Sequence, residues 1–260
     1  MLNTVLHGDC LELMKDVPDG SVDMILCDLP YGTTKCSWDN IIPFDKLWEQ
    51  YDRVLKPKGI IALTATEPFT SNLIMSNPKL FKEKITWIKH RASNFANAKH
   101  RHMKYCEDIV VFGKPGTTYN RQMVPRASPR VKQMHDSKWI MNPMDKSEVS
   151  FKSERKPMDS KRWDANFKNP MDYIEIPAVV NNSKEKTSHP TQKPVKLFEY
   201  LIKTYTNEDD TVLDNCAGSG TTAIAAMNTN RNYIMMEKEK EYYDIINERI
   251  KDHSEQLELV

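Results

Sequence analysis

The chain lacks the residues that would staple a small fold or hold a structural metal. Its five cysteines, Cys10, Cys27, Cys36, Cys106 and Cys216, are odd in number and include no CxxC pair. That argues against a disulfide framework and against a zinc site, and it fits a reducing, cytoplasmic setting. His100, His102 and His135 have no partners at metal-ligand spacing, so no metal is expected. No apolar run approaches the ~20 residues that a membrane helix needs, and no membrane partner is expected. The opening MLNTVLHGDC lacks a basic stretch followed by an apolar core, and so does not read as a signal peptide. The formal net charge is only +1, so global charge names no partner. Two ligand fingerprints are also missing: the phosphate loop GxxxxGK(S/T) and the full dinucleotide pattern GxGxxG.

What is present is an alternation of strand and helix patterns. At 260 residues the chain suits one large α/β domain with an inserted lobe. Strands are predicted over 4–6, 22–27, 60–63, 85–88, 109–112, 212–213 and 233–236. Phe44, Leu47, Trp48, Tyr51 and Leu55 recur at helical spacing, and Lys56-Pro57-Lys58-Gly59 is expected to end that helix. Pro194 opens a second helix with Leu197, Phe198, Leu201, Ile202 and Tyr205 on one face. Further helices are expected over 221–227 and 242–250. The order argues for a doubly wound, mostly parallel sheet.

The segment 114–186 breaks this pattern. It holds seven of the fifteen prolines, and 15 Lys+Arg against 9 Asp+Glu. The remaining residues have 22 against 27. A basic insertion thus sits on a mildly acidic body. The stretch 82–104 adds seven Lys+Arg against Glu83 alone, with Trp87 and Phe95 interleaved and Phe81 just before it. Basic residues mixed with aromatics suit a polyanion that carries stackable bases. The expected division is 1–113, the insertion 114–186, and 187–260.

Two short motifs carry chemistry. CDLPYG, positions 27–32, follows the apolar run 22–26 and places an acid, a rigid bend and an exposed ring at a strand end. DNCAGSGTT, positions 214–222, is a strand end, a glycine turn and a helix start. Glycine there allows positive φ and close backbone approach, and the helix start offers N–H groups to an anionic ligand end. Seventeen residues after Gly220, Glu237 ends the next strand, the position at which a Rossmann-like sheet holds ribose hydroxyls. A nucleoside without pyrophosphate fits this set, and S-adenosylmethionine is the common one.

Together these residues resemble the β group of DNA amino-methyltransferases. Asp28-Leu-Pro-Tyr31 resembles that family's D-P-P-Y signature, with Leu29 in place of the first proline, and DNCAGSGTT resembles its cofactor motif. Ser188-His-Pro-Thr-Gln-Lys-Pro194, His7-Gly-Asp-Cys10, Arg53-Val-Leu-Lys-Pro-Lys-Gly59 and Tyr105-Cys-Glu-Asp-Ile-Val-Val-Phe112 resemble further family blocks, in the family's order. The resemblance implies a Rossmann-like S-adenosylmethionine-dependent methyltransferase fold with a seven-stranded sheet and 114–186 as target-recognition lobe. It implies that Asp28 and the carbonyl beside Pro30 accept hydrogen bonds from an exocyclic base amine while Tyr31 stacks on a flipped-out base. It implies cofactor contacts from Asp9, Cys10, Asp28, Lys193, Asp214, Gly218, Ser219, Gly220, Thr221 and Glu237. Arg91, Lys99, Arg101, Arg126 and Arg130 are the expected contacts to double-stranded DNA, and a homodimer is compatible with the group. Aspartate in the first motif position is typical of members acting on adenine N6. Cytosine N4 is the alternative within the class. A protein glutamine methyltransferase and a catalytically silent DNA-binding protein are alternatives outside it.

Overall fold

The computed structural model describes residues 1–34, 36–127 and 166–258. From the N-terminus, β1 (Thr4–His7), the one-turn helix α1 (Cys10–Leu13) and β2 (Val22–Cys27) come first. α2 (Phe44–Val54), β3 (Leu55–Ala65), α3 (Phe69–Ser76), β4 (Phe81–Ser93) and β5 (Lys104–Gly113) follow. β6 (Val124–Pro125), β7 (Phe167–Lys168) and β8 (Tyr173–Glu175) fall in the predicted insertion. The chain closes with α4 (Val195–Tyr205), β9 (Thr211–Asp214), α5 (Thr221–Asn228), β10 (Asn232–Glu237) and α6 (Lys240–Glu258).

Two compact units divide the chain: residues 1–120 with 171–260, and residues 121–170. The smaller unit is narrower than the segment 114–186 because both flanks are tied into the larger one. Asn120 donates its N–H to the Thr204 carbonyl at 2.6 Å and its Nδ2 to the Thr206 carbonyl at 2.8 Å. On the other side β8 pairs with β4, and the Trp87 indole donates to the Ile176 carbonyl at 2.7 Å. Within the smaller unit, β6 and β7 form an antiparallel pair.

The large unit is built on one sheet, in the order β1-β10-β9-β2-β3-β5-β4-β8. It has eight strands rather than seven, the eighth being the three-residue β8 at the edge beside β4. Only β5 runs antiparallel to its neighbours. Because side chains alternate across a strand, the apolar run of β2 serves two cores. Met24 and Leu26 pack with α4, α5 and Ile246 of α6, while Ile25 and Cys27 pack with α2 and α3. This is why 22–27 reads as continuously hydrophobic.

Two predicted boundaries move. α2 stops at Val54, and Leu55 already belongs to β3. Residues 56–59 begin that strand instead of capping the helix, and the β2–β3 register slips between Val22 and Met24 to accommodate them. β4 extends to Ser93, far beyond 85–88, because its outer half carries charged residues that hide the strand pattern. α3 was not anticipated at all.

Connections leave β2 and β9 in opposite directions along the sheet, β2 toward β3 and β9 toward β10. That switch point opens a crevice at the carboxyl ends of the strands, where α/β sheets bind ligands. Among the described residues no helix is long and apolar enough to cross a membrane.

Candidate functional site

A cleft of about 1120 Å³ lies at these carboxyl ends. The carboxyl ends of four strands on this side of the sheet contribute to it: residues 8–11 after β1, 28–31 after β2, 214–219 at the end of β9 and 237–239 at the end of β10. Residues 189–193, just ahead of α4, the loops 37–43 and 66–68, and Lys89, Glu107 and Arg101 from the β4–β5 hairpin also line it.

At the tip of β2, Asp28 is the most heavily engaged side chain. Its Oδ1 accepts from the Tyr31 hydroxyl at 2.5 Å and from the Thr64 hydroxyl. Its Oδ2 accepts from the Lys193 ammonium at 2.6 Å. Lys193 is itself buried, and its Nζ lies 3.6 Å from Glu107 Oε2. Burial alone would pull its pKa down, but the charges of Asp28 and Glu107 outweigh burial and hold it above the ordinary lysine value. Lys89, also buried, donates to Glu107 Oε1 at 3.0 Å. Four charged groups from β2, β4, β5 and the α4 approach therefore form one chain of alternating sign.

Tyr31 is half-buried rather than exposed. Its ring packs on Phe69 with centroids 5.1 Å apart, and Lys193 Nζ lies 5.8 Å above it. Burial and the Asp28 charge raise its phenol pKa, so the hydroxyl keeps its proton at neutral pH. Leu29, the departure from the double-proline signature, is 3% exposed and belongs to the core against α2 and α3. The following loop is clamped by Asp39, whose carboxylate accepts from the N–H groups of Gly32 (2.9 Å), Thr33 (2.9 Å) and Thr34 (2.6 Å). Burial opposes ionisation of Asp39, but these donors prevail and lower its pKa.

The glycine turn after β9 faces Asp28 across the cleft. Gly218 and Gly220 have φ of +53° and +75°. A Cβ on Gly218 would lie 3.1 Å from His189 Nε2, and one on Gly220 would lie 3.0 Å from Ile246 Cγ2. Glu237 accepts the Gly218 N–H at 2.7 Å and the Glu239 N–H at 2.8 Å. Burial raises its pKa against these hydrogen bonds. Asp214 is buried and grips the turn from below, accepting from the Cys216 N–H at 3.0 Å and from the Thr222 hydroxyl. Burial pushes its pKa up to about 6. The rings of Trp38, His189 and Tyr242 gather at the rim, with His189 4.5 Å from Tyr242 and 5.7 Å from Trp38.

The residues expected at the cofactor occupy one cleft with uneven roles. Asp9, Cys10, Asp28, Lys193, Asp214, Gly218, Ser219, Thr221 and Glu237 all line it. Gly220 shapes the turn from behind. Asp9 is exposed; it caps α1 through the Leu11 N–H at 3.0 Å and lies 3.4 Å from Lys238 Nζ. Cys10 is buried beside Cys216, and that neighbour together with burial raises its thiol pKa. Among the expected DNA contacts, Arg91, Lys99 and Arg101 are exposed on β4 and the loop to β5. Arg126 lies in the smaller unit, where its Nε donates to the Phe167 carbonyl at 2.9 Å. Arg130 lies outside the described residues. Thr64, Glu107, Lys89 and Asp39 were missed. Glu107 alone carried a signal, since it stands inside the 105–112 block. Among the described residues, no three His, Cys, Asp or Glu side chains gather to hold a metal ion.

Comparison with known proteins gives a consistent picture. The profile of the N6/N4 DNA methylases matches residues 22–248. The type II methyltransferase M.BglII of Bacillus subtilis is 32% identical over 267 residues, spanning 94% of this chain and 68% of the relative. The DNA adenine methyltransferase YhdJ of Escherichia coli K12 is 30% identical over 255 residues, spanning 92% and 79%. Among solved structures, the M1.HpyAVI–SAM complex superposes with a TM-score of 0.61 at 24% identity, covering 95% of this chain and 98% of the other. The fold is shared with it.

Proposed function

The chain belongs to the N6/N4 DNA methylase family, and from that premise we propose a site-specific DNA methyltransferase that acts on adenine N6 with S-adenosylmethionine. The observation that carries this reading is the tip of β2. Asp28, wired to Tyr31 and Lys193, opens into the same cleft as the glycine turn of β9.

The turn fits the methyl donor. Two positive-φ glycines set the bend of the turn, with His189 and Ile246 packed where a Cβ would stand, and Glu237 at the edge supplies an acceptor for ribose hydroxyls. The first N–H groups of α5 suit a carboxylate, while Lys193 is already held between Asp28 and Glu107. When bound, the donor supplies a methyl group already activated by a positively charged sulfur.

The protein's own task is then to present the acceptor. An exocyclic amine is a poor nucleophile because its lone pair is delocalised into the ring. Hydrogen bonds from that amine to Asp28 and to the carbonyl fixed beside Pro30 pull the nitrogen toward tetrahedral geometry and aim its lone pair. The Tyr31 ring offers a stacking face. The amine is out of reach inside a duplex, so the nucleotide must flip out. Orientation and electrostatics supply the acceleration. The charge and exposure of Arg91, Lys99 and Arg101 support contacts to phosphates, and we assign the basic segment containing Arg126 and Arg130 to target reading.

Adenine is favoured over cytosine by the aspartate in the first motif position and by the name of the Escherichia coli relative. The test is incubation with tritiated methyl donor and plasmid, followed by digestion to nucleosides. Label in N6-methyldeoxyadenosine is expected. Label in N4-methyldeoxycytidine overturns the choice of base, and label in protein alone overturns the reading.

A further inference from the structure

Both oxygens of Asp28 are occupied by the protein itself. Oδ1 holds two hydroxyl donors, and Oδ2 holds a buried ammonium at 2.6 Å. A base amine can bond only the lone pair still open on Oδ2, and that oxygen's charge is already drawn into a charge-assisted hydrogen bond, among the stronger kinds a protein makes, so it accepts weakly until the ammonium steps back. The structure also shows where the competitor can go. Glu107 Oε2 is buried and has no hydrogen-bond partner, although its twin Oε1 is bonded by Lys89. Lys193 Nζ stands 3.6 Å from that oxygen, just beyond hydrogen-bond reach. A buried carboxylate oxygen that is ion-paired yet makes no hydrogen bond calls for an explanation.

We propose that Lys193 is a two-position cation and that Glu107 is its second seat. This rests on the function proposed above. In one position Lys193 closes on Asp28, as seen. In the other it moves about 1 Å to Glu107 Oε2 as the base amine takes Asp28 Oδ2. Glu107 is thus a positioning residue, acting on the base only through Lys193. Lys89 holds Glu107 in register by fixing Oε1. The arrangement keeps Asp28 neutralised until a base arrives and leaves no unpaired ammonium in the cleft afterwards, since either seat pairs it.

The test is a double-mutant cycle on the full-length protein. Glu107→Gln removes the second seat's charge with little change in shape. Single-turnover methylation of a target duplex, at saturating S-adenosylmethionine, should slow by about tenfold, while cofactor affinity by calorimetry changes less than about threefold. In a Lys193→Gln background the same Glu107→Gln change should cost less than about twofold, because no cation is left to reseat. Additive losses overturn the proposal, as does a Glu107→Gln variant that loses the cofactor along with the rate. Should Glu107→Gln fail to fold by circular dichroism, Glu107→Asp draws the carboxylate back from Lys193 and runs the same cycle with the same expected non-additivity. A wild type that puts no label into DNA overturns the proposed function and this inference together. An active wild type with additive losses overturns this inference alone.

Discussion

Asp28 carries three donors on two oxygens, and that changes what its neighbours are expected to do. Sequence alone suggested Tyr31 as a stacking ring. The structure gives its hydroxyl a hydrogen bond to Asp28 at 2.5 Å. Tyr31→Phe keeps the ring but removes one donor from a carboxylate, an interaction worth about 1.5–3 kcal/mol. We expect kcat to fall by roughly tenfold or more, and Tyr31→Ala to lose a further ~1–3 kcal/mol of base stacking. Equal rates in wild type and Tyr31→Phe would leave the hydroxyl without a role. His189 makes a second prediction at this scale. Burial, with Lys193 and Lys186 nearby, lowers its pKa to about 4 against the pull of Asp28. The folded protein therefore resists a proton that the unfolded chain accepts below its ordinary value near 6.5. Its stabilising effect is full at neutral pH and is lost as pH falls from about 6.5 toward 4, by on the order of 3 kcal/mol. Asp214, raised to about 6, acts in the opposite sense, losing its stabilisation as pH rises through that value. A His189→Phe variant isolates the first group. Its urea midpoint, compared with wild type at each pH, should improve steadily from pH 7 down to pH 4. A constant difference would mean that His189 does not titrate as its burial implies.

Under the proposed function, the loops after β2 and β9 divide the labour between acceptor and donor. Asp28→Asn should cut methyl transfer on the order of a hundredfold and leave the donor's calorimetric affinity nearly intact. Gly220→Asp should abolish donor binding, because φ is +75° and a Cβ already lies 3.0 Å from Ile246. Loss of the donor in both variants would refute the division. These two loops were legible in the sequence because each strings a local pattern together: an apolar strand, an acid at its end, then glycine or proline. The partners of Asp28 were not. Thr64 stands 36 positions away and Lys193 165 positions away, and only the order β9-β2-β3 brings them together. Glu107 and Lys89 sit on two strands whose outer halves are charged, so no alternation announced them. β8 was missed for a different reason. Three residues cannot show a period, and what defines it is its hydrogen bonds to β4.

At the scale of the whole molecule, a net charge of +1 hides a segregation. Residues 121–170 hold 12 Lys+Arg and 6 Asp+Glu, so the rest of the chain has 25 and 30, a net of −5. The larger unit holds both apolar cores of the sheet, and every described residue that lines the cleft belongs to it. Replacing 121–170 with a flexible Gly/Ser linker should therefore leave a soluble protein that binds S-adenosylmethionine. The cut must not be widened to 114–186, because β8, Ile176 and Asn120 would go with it and Trp87 would be deprived of its acceptor. DNA affinity should fall in the excised protein, and its dependence on salt should become shallower. Each phosphate that the protein no longer neutralises takes roughly 0.9 off the slope of log affinity against log salt. Fluorescence anisotropy of a labelled duplex over a salt series reads both quantities. Charge reversal at Arg91, Lys99 and Arg101 on the β4–β5 hairpin supplies the complementary arm. If the segment 121–170 neutralises most of the phosphates, the excision flattens the slope more than the reversal does. If the hairpin neutralises them, the order inverts and the assignment of that segment to DNA is wrong.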